Sequence, residues 1–554
     1  MSEALNFTVG GLLEDMAQRF PENDALVYPD RGLRLSYAQF NSQCDRIARG
    51  LLAMGVKKGD HLSIWATNVP EWVLLQFASA KIGAVLVTVN TSYKSAELEY
   101  ILNQSDSSML FLVQGFKDTD YVETVYEVVP EVKSCQGAAL ASEKLPYLKR
   151  VVFIGGQTPT GMINFAELET LAEQVPEQQL AEVKATLDEH DVINMQYTSG
   201  TTGFPKGVML THHNIVNNGF NIGECMKFTE QDRLCIPVPF FHCFGCVLGV
   251  MACVTHASTM VPVETFIPEQ VLKTIEAEKC TAVHGVPTMF IAELEHPNFE
   301  KYDLSTLRSG IMAGSPCPIE VMKRVIRDMN CSEITIAYGQ TEASPVITQT
   351  RTDDPIELRV ATVGRALPNV EVKIVDIETG ATLPPGKQGE LCTRGYLVMK
   401  GYYKMPEATA AAIDAENWLH TGDLAVMDEN GYCKITGRIK NMIIRGGENI
   451  YPREIEEFLY THPAVSDVQV YGVPDRKFGE QVMAAVKLKE GVTVAEDDIK
   501  EFCKGRIANY KIPRYVKFVD EYPMTASGKI QKFKLREMAI RDLQLEDDAR
   551  IETA

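Results

Sequence analysis

Short apolar, β-branched runs recur early in this chain, at HLSIWAT (61–67), AVLVTVN (84–90), SMLFLVQ (108–114) and RVVFIGG (150–156), with helix-sized spacers between them. Strands joined by helical crossovers pair in parallel and bury both sheet faces under helices. The pattern predicts an α/β fold of stacked layers with largely parallel sheets. Residues 33–54 read as a strand-like start followed by a helix, whose polar face carries Gln43, Asp45, Arg46 and Arg49. At 554 residues the chain is too long for one ordinary domain. Length alone suggests about three or four units, some of which large enzymes merge into one core.

The texture changes near residue 437. Residues 391–437 are strand-rich, with Gly and Pro punctuation. Beyond them, 441–445 read as a strand and GGEN as a turn. Residues 452–461 read as a helix with proline at an early position, where its missing N–H costs least. Strands follow at 465–473 and 482–488, a helix at 495–507 and a strand at 515–519. This predicts a large N-terminal multilayer α/β domain over 1–437 and a small C-terminal α/β domain over 438–554, divided in Gly437-Arg438-Ile439-Lys440.

A net charge of −20 repels phosphate backbones and anionic membranes, so nucleic acid is not an expected partner. Anionic ligands need local clusters of Lys, Arg and backbone N–H groups. The 13 cysteines follow no disulfide framework, and the N-terminus MSEALNFTVGGLLEDM lacks a basic flank and an apolar signal core. A reducing cytoplasm is the expected location. The apolar stretches 72–89 and 245–263 are broken by Gln76, Ser79 and Lys81, and by Thr255, His256, Ser258 and Thr259. Neither supplies the ~20 apolar residues of a membrane span, so both read as buried helix and strand. A monomer or homodimer without an integral membrane segment is expected.

The segment Tyr197-Thr-Ser-Gly-Thr-Thr-Gly-Phe-Pro-Lys-Gly207 follows a strand-like run at 192–195. Glycines admit phosphate oxygens to backbone N–H groups, hydroxyls add donors, and Lys206 adds a point charge. A loop leaving a strand end is where α/β ligand sites gather. The spacing Gly200-x-x-Gly203-x-x-Lys206, with Gly207 where Ser or Thr would stand, is not that of a Walker A loop.

Four more segments join it: Tyr338-Gly-Gln-Thr-Glu342, Trp418-Leu-His-Thr-Gly-Asp423, Gly437-Arg-Ile-Lys440 and Pro523-Met-Thr-Ala-Ser-Gly-Lys529. In order and spacing the five resemble the motifs of the acyl-adenylate-forming, AMP-binding enzymes: acyl-CoA synthetases, peptide-synthetase adenylation domains and luciferase-like enzymes. The resemblance covers nearly the whole chain. Through 442–456 and 527–537 it is nearest to the medium-chain fatty acyl-CoA synthetase group.

This resemblance implies a ligase that uses ATP, Mg²⁺ and coenzyme A. A carboxylic acid becomes an acyl-adenylate, pyrophosphate leaves, and the acyl group passes to the thiol of coenzyme A. Thr198, Ser199, Gly200, Thr201, Thr202, Gly203, Phe204, Pro205 and Lys206 would cradle the β- and γ-phosphates. Gly314, Ser315, Tyr338, Gly339 and Thr341 would border the adenine. Asp423 would accept the ribose hydroxyls, with Arg438 donating to ribose or phosphate. Lys529 would bridge carboxylate and α-phosphate, where two anions meet and positive charge must gather. Glu342 would ligate Mg²⁺ with a hydroxyl from Thr341 or Thr198. Lys440 would be the hinge about which the small domain turns between half-reactions. Arg445, Gly446 and Gly447 would border a pantetheine tunnel, or form an ordinary hairpin turn.

His242, in Pro239-Phe-Phe-His-Cys-Phe-Gly245, resembles an acyl-site gate and reads equally as a core histidine. Cys243 and Cys246 lack a second pair at zinc spacing and read as buried thiols. Residues 237–252 hold no Asp or Glu to pair a substrate ammonium, which favours a neutral acyl tail. Val238, Phe240, Val286, Thr288 and Ile311 are candidate pocket walls. A medium-chain fatty acid is expected; an alicyclic or aromatic acid is the alternative. An enzyme delivering to a carrier protein is another, although no carrier domain fits in the 25 residues after Lys529. Intact Lys206, Glu342, Asp423 and Lys529 speak against a non-catalytic nucleotide-binding protein.

Overall fold

The computed structural model describes residues 4–135, 140–198, 205–315, 317–445, 448–504, 506–507, 509–525 and 528–549. Two large sheets carry the first 366 residues. In one, the parallel strands Val192–Thr198, Val85–Thr88, His61–Trp65, Met109–Leu112 and Arg150–Phe153 lie side by side, and Lys206–Thr211 and Gly401–Tyr402 extend it antiparallel. The other is nine-stranded. Its parallel centre runs Thr335–Gly339, Ser309–Met312, Ala282–Gly285, Arg233–Ile236, Thr259–Pro262 and Asp24–Tyr28, with antiparallel strands at both ends. The largely parallel α/β expectation therefore holds, with antiparallel margins the local pattern does not reveal.

Helix Pro70–Lys81 shows why the run 72–89 is so apolar. Its residues other than Glu71 are buried. Phe77 meets Phe40 of helix Tyr37–Ala53 edge-on, and Trp72 lies against Phe240, each pair with ring centroids 5.3 Å apart. Lys81, wholly buried, ends this helix. Its ammonium is paired with Glu14 at 2.7 Å and Asp45 at 2.9 Å, as a buried charge requires. The second apolar run becomes a π-helix, Phe244–Met251, then an α-helical turn Ala252–Thr255 and the strand Thr259–Pro262. Among the described residues no helix is long and apolar enough to cross a membrane.

The strand-rich region is an antiparallel sheet of Val370–Val375, Gln388–Gly395, Leu419–Met427 and Cys433–Arg438. It also contains a helix, Pro406–Ala412. Beyond it, Ile443–Arg445, Glu448–Ile450, Val465–Asp475, Gly479–Leu488 and Tyr515–Phe518 make a further sheet with an apolar core of its own around Ile455, Leu459, Val468, Val482 and Ile499. Helix Pro452–Leu459 starts at its proline as expected. The helix expected over 495–507 is shorter, Glu496–Cys503.

Candidate active site

Strand Val192–Thr198 pairs antiparallel with Lys206–Thr211, so Thr198 and Lys206, at the two ends of the glycine-rich segment, oppose each other. Ser199, Gly200, Thr201, Thr202, Gly203 and Phe204 lie outside the described residues. Gly207 is tightly packed: a Cβ would stand 3.0 Å from Met195 Sδ and 3.2 Å from Tyr197 Cζ, so those side chains would have to give way by a few tenths of an ångström.

Tyr402 is the residue that sequence reasoning missed. It opposes Val208 on the edge strand, and Lys206 sits two residues away on the same face. The Lys206 ammonium lies 4.6 Å from the Tyr402 ring centroid, a cation–π contact. The Tyr402 hydroxyl donates to Glu342 Oε1 at 2.7 Å. Burial, and then the Glu342 carboxylate, raise the tyrosine's pKa and keep it a donor. One aromatic ring thus ties the lysine of the glycine-rich segment to the proposed metal ligand. Strand pairing sets Tyr402 beside Lys206, and the Met399 N–H donating to the Glu342 carbonyl at 2.9 Å holds the turn close, so no local pattern announces it.

Glu342 lies on the turn Thr341–Ala343, just past strand Thr335–Gly339. That strand also presents Tyr338, whose hydroxyl donates to Asp423 Oδ2 at 2.8 Å. Asp423 is buried and opposes Arg438 across the antiparallel sheet; Arg438 Nε reaches its Oδ1 at 2.8 Å. Burial and then Asp423 push the Tyr338 phenol up, and the Asp423 charge raises Arg438 above its ordinary value.

Lys529 comes from the far end of the chain. Its carbonyl accepts from Thr525 N at 2.7 Å, and its own N–H donates to Thr525 Oγ1 at 3.0 Å. Ala526 and Ser527 between them are not described. Gly528, at φ +78°, lets its carbonyl accept from Thr288 Oγ1 at 3.3 Å. The lysine lies against Gly314, where a Cβ would stand 3.6 Å from Lys529 Cε and 3.1 Å from Val286 Cγ1. Burial first, then the Arg438 charge, lower Lys529 from 10.5 to about 8; Cys243, Glu342 and Asp423 oppose that shift.

His242 stands just before the π-helix, and its Nδ1 accepts from Phe244 N at 3.2 Å. Burial, and then Lys529, lower its pKa to about 3, so it is a neutral imidazole with its proton on Nε2. It is half-buried, and Lys529 lies close enough to act on its charge. Cys243 Sγ and Cys246 Sγ bracket the Gln196 amide at 3.0 Å each, as buried thiols. Thr341 is buried, Ser315 half-buried, and Ile311 fully buried in its strand. Arg445 stays in the C-terminal sheet, donating to Gln481 Oε1 at 2.7 Å and covering the Phe478 ring. Gly446, Gly447 and the Lys440 side chain lie outside the described residues. An open groove of about 870 Å³, lined by Met209, Arg394, Tyr402 and Asp414 among others, excludes Lys529 and Asp423.

An α/β enzyme that gathers cations and carboxylates at strand ends, and receives a lysine from a C-terminal α/β unit, is the class this fold and site define. The chain belongs to the AMP-binding enzyme family, whose model matches residues 13–403; the model of the AMP-binding enzyme C-terminal domain matches residues 454–529. It is 61% identical to "Putative acyl-CoA synthetase YngI" of Bacillus subtilis (strain 168), over 98% of this chain and 99% of that protein. It is 44% identical to the mitochondrial medium-chain acyl-CoA ligase ACSF2 of Macaca fascicularis, over 98% and 88%. The crystal structure of the anthranilate CoA ligase AuaEII with anthranoyl-AMP superposes with a TM-score of 0.84 at 27% identity, covering 98% of this chain and 99% of that one.

Proposed function

We propose that this chain is an AMP-forming acyl-CoA ligase acting on a medium-chain fatty acid. The observation that carries the reading is the seating of Lys529 against Gly314, with Glu342 and Asp423 near enough to bias its charge. A carboxylate oxygen attacks the α-phosphorus of ATP, the bond to pyrophosphate breaks, and acyl-adenylate forms. Lys529 offsets the charge of the two anions as they meet, and Lys206 holds the departing phosphates. Asp423, fixed by Tyr338 and Arg438, orients the ribose. Glu342, oriented by the Tyr402 hydroxyl, and a hydroxyl of Thr198 or Thr341 make an oxygen-only set that fits a hard cation, and Mg²⁺ bound there would neutralise phosphate charge.

The thiol of coenzyme A then attacks the acyl carbonyl, and AMP leaves. Lys529 stands where that thiol must approach, which is the physical reason for a domain boundary at 437/438 and rotation about Lys440. Arg445, already on the surface of the C-terminal sheet, would meet coenzyme A after that rotation. Neutral His242, with Val286 and Ile311, borders the acyl site. All 13 cysteines are free thiols, which supports a reducing, cytoplasmic location.

The test is pyrophosphate release over carboxylic acids of graded length and ring content, with and without coenzyme A. Medium-chain acids should give the highest kcat/KM, with AMP release dependent on coenzyme A. A maximum at aromatic or alicyclic acids would replace the substrate, AMP release indifferent to coenzyme A would favour a carrier protein, and ADP as product would end the reading.

A further inference from the structure

On the antiparallel sheet that also carries Asp423, three side chains of unlike chemistry meet. Cys392 and His420 are direct partners on neighbouring strands. Glu390, two residues before Cys392, shares its face. His420 Nδ1 lies 2.8 Å from Glu390 Oε2 and 3.4 Å from Cys392 Sγ, and the three ligand atoms fall within 4.8 Å of one another. We infer that Glu390, Cys392 and His420 form a binding site for one divalent transition-metal ion, with Zn²⁺ the ion its donors fit best.

The donor set carries the choice of metal. A thiolate, an imidazole and a carboxylate suit Zn²⁺, whereas Mg²⁺ and Ca²⁺ take oxygen ligands. The surroundings are those of a metal-binding histidine. With Nδ1 turned to the ion, Nε2 faces Asp414 Oδ2 at 3.6 Å, the outer carboxylate that fixes the tautomer at such sites. Asp414 is itself held by the N–H groups of Glu416 and Trp418, both at 2.9 Å. Glu390 Oε1 is held by Gly422 N at 2.9 Å, which leaves Oε2 for the ion. The ligands sit on paired strands, so their spacing is fixed before any ion arrives. His420 is partly exposed, which gives solvent access for an ion and for a water as its fourth ligand. Binding releases the Cys392 thiol proton to solvent and moves the imidazole proton from Nδ1 to Nε2, toward Asp414.

Without an ion the same contacts would be only a Glu–His hydrogen-bond clasp, and two measurements separate the cases. The full-length chain is titrated with Co²⁺ alone, without nucleotide. One equivalent should give a thiolate-to-cobalt charge-transfer band in the near ultraviolet, bleached by Zn²⁺ and absent from Cys392→Ser. No band in the natural protein, or an unchanged band in Cys392→Ser, would overturn the site. Because Cys392 is buried, His420→Gln provides the second arm. Zn²⁺ should raise the Tm of the natural protein, while His420→Gln binds about 10-fold or more weakly and shows a smaller rise. An equal rise in both would place the ion elsewhere.

Discussion

Burial and the Arg438 guanidinium bring Lys529 down to about 8, within reach of ordinary assay conditions. Adenylation needs the ammonium, and kcat/KM reports the free enzyme. The kcat/KM for pyrophosphate release should therefore break downward as pH rises through about 8, and Lys529→Arg should lack that break. Glu293 makes a different statement, about stability. Its side chain is buried, its Oε2 has no hydrogen-bond partner, and burial raises its pKa from 4.5 to about 8. A carboxyl raised on folding contributes stability fully below pH 4.5 and loses it as pH climbs to about 8. Glu293→Gln should thus gain about 1–3 kcal/mol in urea unfolding above pH 8 and nothing near pH 4.5.

At the scale of elements, the turn from strand Thr335–Gly339 into Thr341–Ala343 decides where Glu342 points. A Cβ on Gly339 would lie 1.8 Å from the Pro345 carbonyl oxygen, a backbone atom with no side chain to yield. Gly339→Ala should cost about 2–4 kcal/mol in urea unfolding and lower adenylation, since the turn must shift to accept it. Sequence reading reached many elements here because punctuation and polarity agree: Pro452 opens its helix, and polar residues mark the outer side of Tyr37–Ala53. It did not reach the π-helix Phe244–Met251, because an unbroken apolar run has no periodicity from which to read the winding. Nor did it reach Tyr402, whose partners lie 60 residues or more away in sequence and meet it only in the folded chain. Asp423 and Arg438 were legible as separate motif members; their direct opposition came only with the strand register.

The whole molecule joins two α/β parts through the short stretch after Arg438, and the second part delivers one side chain to a site the first part builds. The apolar cores on either side of that stretch are built from different residues. In the proposed reaction Lys529 serves the first half-reaction alone. The direct measurement compares both half-reactions in Lys529→Ala: pyrophosphate release from acid and ATP, and thioester formation from supplied acyl-AMP and coenzyme A. The first should fall about 100- to 1000-fold, as when one preorganised charge is removed from an active site, while the second stays within about threefold. An equal loss in both would contradict a C-terminal part that presents Lys529 for one step and withdraws it for the next.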